Sequence, residues 1–334
     1  MGAARRLSET DARFVNRTPV RRRDAGITQF THLDAGENIF LLRQIEFIQT
    51  RSYDVKFPLL YARKFIPINN QVDRAAATYT YHSYTQVGMA ALIASYADKL
   101  PQNDVFVTET SIQIKTAANG YHYSVLEIRQ AMRANVPLDQ KKANAARRSM
   151  EVLIDRILAV GDSASGLVGM INQPNALTFT VPNGAAGSPD WASKKPLEIL
   201  SDMVNICVFI PSNTGNVEEP NAILLPRSQY TQIATTPMLG ANVATELTIL
   251  EYFKRNQPQI EVGMWPLLKG QGTGSTDRMI AYNRDPDKFE GIIPQEFEQF
   301  PPEQEGLRFN VACHARIGGV VFYYPLSMAV GDGI

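Results

Sequence analysis

Apolar positions recur at helical spacing along some stretches and alternate along others, and the two patterns divide the chain. The clearest helical pattern runs from Leu138 to Val160. Ala146, Met150, Leu153, Ile154, Ile157 and Leu158 form one stripe, while Lys141, Arg148, Asp155 and Arg156 take other faces. A helix of this length is a rod of roughly 35 Å, and Gly161 ends it. Lys141 and Lys142 stand near its N-terminal end, against the helix dipole. Shorter helices are predicted over Glu37–Thr50, Ser124–Asn135, Leu197–Ile210, Arg227–Ala234 and Val243–Asn256.

Strand patterns are clearest in Thr78–Thr85 and Val105–Ile114. In the second, Val105, Val107 and Glu109 fall on one side and Phe106, Thr108 and Thr110 on the other. The two runs read as a long two-stranded excursion, and such a ribbon is marginal in water unless it leans on something else. Residues 51–70 are predicted extended, with Pro58 and Pro67 breaking any helix. After a Gly/Pro/Asn-rich link over 161–190, strands at Ala222–Leu225, Ile260–Val262 and Arg278–Tyr282 alternate with helices, which suggests a second compact unit. Arg308–Ala315 and Gly319–Tyr324 read as two closing strands.

Charge changes this picture at the N-terminus. Formal net charge over the 334 residues is zero, yet residues 1–30 carry Arg5, Arg6, Arg13, Arg17, Arg21, Arg22 and Arg23 against Glu9, Asp11 and Asp24. With few large apolar residues, this arm cannot bury enough surface to order itself. Neighbouring copies of the chain are the expected support. From Asp285 to Glu305 the balance is opposite, with Glu296, Glu298, Glu303 and Glu305 among seven acids against Lys288 alone. That stretch reads either as a solvated face or as a surface complementary to a basic segment of another subunit.

Candidate chemistry is sparse. Gly270–Ser275 has the glycines of a phosphate loop but no Lys before its Ser or Thr, and it reads as a flexible loop. His32, His82, His122 and His314 show no metal-ligand spacing. Glu218–Glu219 and Glu303/Glu305 are expected in polar loops, where exposed carboxylates make poor acid–base catalysts. Cys207 and Cys313 lie in apolar contexts and are expected as buried thiols in a reducing compartment. No segment approaches ~18 consecutive apolar residues, which excludes a transmembrane helix. No catalytic residue, metal or cofactor is expected. Arg21–Arg23 and the run Lys141, Lys142, Arg147, Arg148 are candidates for phosphate contact, without the interleaved aromatics of specific single-strand binding.

The order basic arm, helix, β excursion, long helix, Gly-rich link, α/β unit and terminal strands resembles the major capsid proteins of tailed bacteriophages with the Hong Kong 97-type fold. The local signature is Ile154-Asp155-Arg156-Ile157-Leu158-Ala159-Val160-Gly161-Asp162 followed by Gly166-Leu167-Val168-Gly169-Met170-Ile171-Asn172. The resemblance implies an α+β fold with an N-arm (1–35), an extended E-loop β-ribbon (66–120) and an A-domain (191–285). Its P-domain would combine 36–65, 121–190 with the spine helix 138–160, and C-terminal strands in 286–334. It implies a self-assembling shell of hexamers and pentamers around double-stranded DNA, formed in the host cytoplasm. Partners would be further copies of the chain, separate scaffold and portal proteins, in some cases a decoration protein, and DNA held weakly, with no membrane. Intersubunit contacts would fall on the seven arginines of the arm and on Tyr79, Tyr81, Tyr84, Lys99 and Val107 of the ribbon. Lys99 is also the ribbon lysine available for the covalent crosslink some relatives form. With only some 35 residues ahead of the first predicted helix, any scaffold is expected to be a separate protein. The rival readings are an encapsulin-like nanocompartment shell, whose N-terminal amphipathic helix the Arg-rich arm does not resemble, and an α/β enzyme, for which no convergent polar site is found.

Overall fold

The computed structural model describes residues 59–88, 102–134, 138–240 and 243–334. The predicted helix over Glu37–Thr50 lies outside the described residues. Where extended chain was expected before Pro67, one helical turn forms first, α1 (Ala62–Phe65), followed by β1 (Ile68–Asn69). Its cause is distant in sequence, because the Asp155 carboxylate accepts the Ala62 N–H at 2.8 Å.

The ribbon is β2 (Thr78–Val87) paired antiparallel with β3 (Asp104–Gln113), in unbroken register from Thr78 opposite Gln113 to Val87 opposite Asp104. A strand that the sequence reading did not separate follows at once, β4 (Lys115–Ser124). It leaves the ribbon to pair elsewhere. Then come α2 (Val125–Ala134) and α3 (Leu138–Val160), both close to their predicted spans.

Two assignments on α3 change. Asp155, placed on a polar face, is buried, and Leu153, placed in the apolar stripe, is 41% exposed. The core-facing set is Ala146, Met150, Ile154, Ile157 and Leu158. Of the two lysines near its start, Lys142 is compensated: it reaches Glu127 of α2 at 3.2 Å and the His122 carbonyl at 2.8 Å.

The helix ends as Gly161 predicts, with φ +83°. The motif beyond it, containing β5 (Gly161–Asp162) and β6 (Leu167–Val168), folds back so that the Met170 and Ile171 N–H groups bond the Leu158 and Ala159 carbonyls at 2.9 and 2.8 Å. Asn172 Nδ2 donates to the Val160 carbonyl at 3.3 Å. The last turn of α3 thus has its otherwise unpaired carbonyls satisfied by one loop.

After β7 (Leu177–Thr180), α4 (Pro196–Thr214) runs one turn beyond its predicted end, through Pro211, to a left-handed Gly215. Then follow β8 (Ala222–Leu225), α5 (Arg227–Thr235) and β9 (Pro237–Gly240). The predicted helix over Val243–Asn256 divides into β10 (Val243–Thr248) and α6 (Ile249–Asn256). Val243, Thr245 and Thr248 favour extended chain, β10 pairs with β9, and a Thr248–Glu251 capping box starts the helix only at Ile249. The chain closes with β11 (Glu261–Met264), β12 (Arg278–Tyr282), β13 (Phe289–Ile292), β14 (Gln295–Gln299), β15 (Glu303–Glu305), β16 (Arg308–Ile317), β17 (Gly319–Phe322) and β18 (Met328–Asp332). The acidic stretch 285–305 therefore lies largely in strands, and Glu303 and Glu305 are in β15 rather than a loop. Glu218 is also not the exposed carboxylate expected: it is buried and paired with Lys288 at 2.6 Å.

A mixed sheet in the order β11-β8-β12-β18-β7 is the centre of the fold. Its runs Ala-Ile-Leu-Leu and Met-Ile-Ala-Tyr are apolar at successive positions because both faces are covered. One face (Leu224, Ile280, Tyr282, Met328, Val330) packs with α3, Phe65, Trp265, Phe289 and Phe322. The other (Ile223, Leu225, Met279, Ala281, Ala329) packs with Ile199, Met203, Ile206 and Ile210 of α4 and with Phe253. The α/β unit expected within 191–285 is thus completed by β7 before it and β18 after it. A second sheet places β16 between β4 on one side and β14 and β15 on the other, and β1, β13 and β17 form a third. The fold is α+β.

Candidate assembly surface

The ribbon is tied down at its base and bare along its length. At the base the Tyr79 and Tyr323 hydroxyls lie 2.8 Å apart, and the Tyr323 hydroxyl donates to Glu290 Oε2 at 3.2 Å. Asn69 Nδ2 donates to the same Glu290 oxygen at 2.7 Å. Burial, with the Tyr79 hydroxyl and the Glu290 carboxylate beside it, pushes the Tyr323 phenol far above its ordinary value, so it stays a protonated donor. The Tyr81 hydroxyl donates to the Phe322 carbonyl at 3.2 Å, and its ring meets Tyr323 edge-on at 5.1 Å.

Two of the predicted ribbon residues bond groups of their own chain, Tyr79 and Tyr81, both at the ribbon's base. Beyond them the register carries side chains to both faces with no cover among the described residues. Tyr84 is 68% exposed, Val107 57% and Phe106 55%, with Val87 and Val105 similarly bare. The alternation of Val105, Phe106 and Val107 gave both faces an apolar residue, which is the signal by which Val87, Val105 and Phe106 could have been added to Tyr84 and Val107. Contiguous apolar exposure of this kind marks a contact surface. Lys99 and Arg5, Arg6, Arg13, Arg17, Arg21, Arg22 and Arg23 lie outside the described residues.

The four acids singled out in sequence do not act alike. Glu296 receives both terminal nitrogens of Arg63, at 2.8 and 2.7 Å. That bond holds its carboxyl below the usual range and raises the guanidinium. Glu298 lies 3.7 Å from His314 Nε2, and Glu305 accepts from Asn310 at 2.6 Å. Glu303 is exposed on β15, where no partner is found among the described residues. Three of the four are therefore engaged within the chain.

Among the described residues no group of His, Cys, Asp and Glu is placed to hold a metal ion, and no helix is long and apolar enough to cross a membrane. Cys207 and Cys313 are buried and unpaired, and burial pushes the Cys207 thiol up to about 12. The polar clusters that do form inside serve packing. Lys194 meets Asp202 at 2.5 Å and Arg278 grips Asp332 through Nε and Nη2.

Residues 88–334 match the family model for the major capsid protein. The chain belongs to the major capsid protein family. No curated protein matches it. Among solved structures, the capsid of Myoviridae phage XM1 is similar at 17% identity and a TM-score of 0.76, over 87% of this chain and 98% of that one. Mycobacterium phage Adephagia matches at 12% identity and TM-score 0.60, over 90% and 98%. The capsid of an empty GTA particle matches at 7% identity and TM-score 0.59, over 87% and 95%. At such identities the likeness is one of fold, and the α+β fold is that of the Hong Kong 97-type phage capsid proteins. As a major capsid protein this chain is a structural component of a virion capsid.

Proposed function

We propose that this capsid protein assembles into hexamers and pentamers that close the head of a tailed phage around double-stranded DNA. The uncovered ribbon carries the reading. A two-stranded ribbon with Tyr84, Val87, Val105, Phe106 and Val107 exposed is marginal by itself in water. A neighbouring subunit supplies the missing cover, and the ribbon acts as an E-loop. The arginines of residues 5–23 act as a strap between subunits, with Glu303 as one exposed acid open to them.

The spine helix and the C-terminal strands act as the P-domain, and residues 191–285, with β8, β11 and β12 of the central sheet, act as the A-domain. Scaffold and portal are separate proteins, and assembly takes place in the host cytoplasm. Contact with packaged DNA is weak and independent of sequence, because the net charge is zero and any attraction is local and salt-sensitive.

Electron microscopy of the purified full chain tests this, beside Phe106→Asp/Val107→Asp and a deletion of residues 2–30. Closed shells are expected from the intact chain. Both variants are expected to yield folded subunits, with unchanged circular dichroism, that fail to close stable shells. An intact chain that stays monomeric at every concentration, or a ribbon variant that assembles like the parent, overturns the reading.

A further inference from the structure

α2 is held at one end and open along the rest. Ser124 and Glu127 cap its start reciprocally: the Ser124 N–H reaches Glu127 Oε2 at 3.0 Å, and the Glu127 N–H reaches Ser124 Oγ at 3.1 Å. The Val125 N–H bonds the Leu307 carbonyl at 3.1 Å, and Lys142 joins Glu127 from α3. All of these anchors lie in the first turn. From Ile128 to Arg133 no side chain has a polar partner among the described residues. A helix of 10 residues is marginal in water unless something packs on it.

Its outer face mixes apolar and cationic residues. Leu126 is 63% exposed and Met132 76%, whereas Val125, Ile128 and Ala131 are half-buried. Arg129 and Arg133 stand one turn apart on the outer face, both exposed and without an acidic partner among the described residues. Leu307, 77% exposed, lies beside the helix start through its carbonyl bond to Val125. Glu127 is spent on its cap and on Lys142. The cations of α3 differ in this respect, since Lys142 is paired with Glu127 and Arg147 with Glu151. Two free guanidinium groups beside exposed apolar side chains fit carboxylates that arrive on an apolar surface. A phosphate backbone would meet the arginines but leave Leu126, Met132 and Leu307 against water.

We propose that the outer face of α2 docks an acidic amphipathic helix of a separate assembly protein. The proposal rests on the assembly reading, in which the scaffold is a distinct chain, and names the surface and the charge by which such a partner is held. This subunit offers no such helix among its described residues. The acids described on its helices, Glu127, Glu151, Asp155, Glu198, Asp202 and Glu251, are each engaged within the chain. Beyond Asp202, α4 carries no charge to its end. The partner's apolar stripe covers Leu126, Met132 and Leu307, and its carboxylates take Arg129 and Arg133. Glu303 and Glu305 stand across the turn from Leu307, where they repel an acidic helix and set the side from which it lands.

Fluorescence anisotropy with dissociated full-chain subunits tests this. The probes are two labelled synthetic helices of about 18 residues that share one leucine stripe and carry either glutamate or lysine beside it. The glutamate peptide should bind and the lysine peptide should not. Arg129→Gln/Arg133→Gln keeps good helix formers and should weaken the glutamate peptide at least about tenfold while flattening its salt dependence. Met132→Gln should weaken it too but leave the salt dependence in place. Far-UV circular dichroism of both variants should match the parent. Glutamate-peptide binding that these changes leave untouched, equal binding of the two peptides, or no binding of either overturns the docking site. Tighter binding of a short DNA duplex, or of a peptide of residues 104–113, would make nucleic acid or a second subunit the occupant and overturn the partner. Electron microscopy of the parent separates the two readings. Closed shells without peptide binding remove this site alone, and a parent that never forms shells removes the assembly reading and this partner with it.

Discussion

Lys194→Met should cost this subunit about 3–5 kcal/mol. Lys194 precedes α4, and its side chain, like that of Asp202, is almost wholly withdrawn from water. Its ammonium donates to Asp202 Oδ2 at 2.5 Å and to the Pro182 carbonyl at 2.6 Å, while Trp191 Nε1 donates to the same carboxylate oxygen at 3.0 Å. Methionine matches the stem but removes the charge. Asp202 is then left with one neutral donor, and the Pro182 carbonyl has none. An uncompensated buried carboxylate dominates the loss, and the orphaned carbonyl adds about 1–3 kcal/mol at most. Asp202→Leu alone strands the ammonium and should cost a similar amount. The double variant Lys194→Met/Asp202→Leu removes both charges and leaves only the Trp191 N–H and the Pro182 carbonyl short of partners. It should therefore be more stable than the sum of the single losses by at least about 3 kcal/mol. Urea unfolding of dissociated subunits, followed by far-UV circular dichroism and the fluorescence of Trp191 and Trp265, reads all three. Thermal midpoints of the single variants should fall by roughly 6–10 °C, at about 2 °C per kcal/mol for a chain of this size. A Lys194→Met subunit within about 1 kcal/mol of the parent, or a strictly additive double variant, would refute the claim that the pair is a buried, coupled unit.

Other consequences follow from the same geometry. Gly161→Ala places a methyl 2.4 Å from the Leu167 carbonyl oxygen and 2.7 Å from the Gly169 nitrogen at φ +83°, all backbone, and should cost about 3 kcal/mol in the same unfolding assay. Tyr323→Phe removes the hydroxyl shared by Tyr79 and Glu290 and should cost about 1–2 kcal/mol. Its signature is local: proteolysis and exchange over 78–87 should quicken more than the global midpoint shifts. Burial alone would raise the Asp332 carboxyl, but hydrogen bonds from Arg278 and Thr273 outweigh it and hold it below its ordinary value. A depressed carboxylate contributes stability that is complete above its unfolded-state pKa and lost as pH falls through the folded one. The parent should thus lose stability as pH falls below the ordinary carboxylate range, in a step that Asp332→Asn lacks, seen as unequal slopes of urea midpoint against pH.

The elements legible in the chain were those whose signal is local. The span 138–160 has a helical stripe and a terminal glycine, and it folds as one helix with those bounds. Ala222–Leu225 and Arg278–Tyr282 are short, β-rich and bounded by breakers, and they appear as strands over those residues. The two ribbon runs were visible from strand propensity, joined in the second by alternation, and so was their want of a core. The family resemblance also rested on local sequence, on the motif after Gly161 whose backbone closes the end of α3.

What the sequence could not supply was decided by partners far along the chain. Asp155 reads as a solvent residue by composition, but it is buried because α1 needs an acceptor at Ala62, 93 residues away. Val243–Asn256 has enough apolar residues for one helix, yet pairing with β9 drew its first part into a strand. The alternation of Tyr79 and Tyr81 marks two side chains on one face without saying what that face meets, and only the fold brings Tyr323 and the Phe322 carbonyl beneath them. The edge of β4 that no strand covers among the described residues is the extreme case. An edge is the absence of a neighbour, and periodicity within a strand carries no record of which side of it another strand occupies. Local propensity and spacing set what each segment can become. Which of its surfaces are spent inside the subunit, and which are left for another copy, is settled only when segments hundreds of residues apart meet.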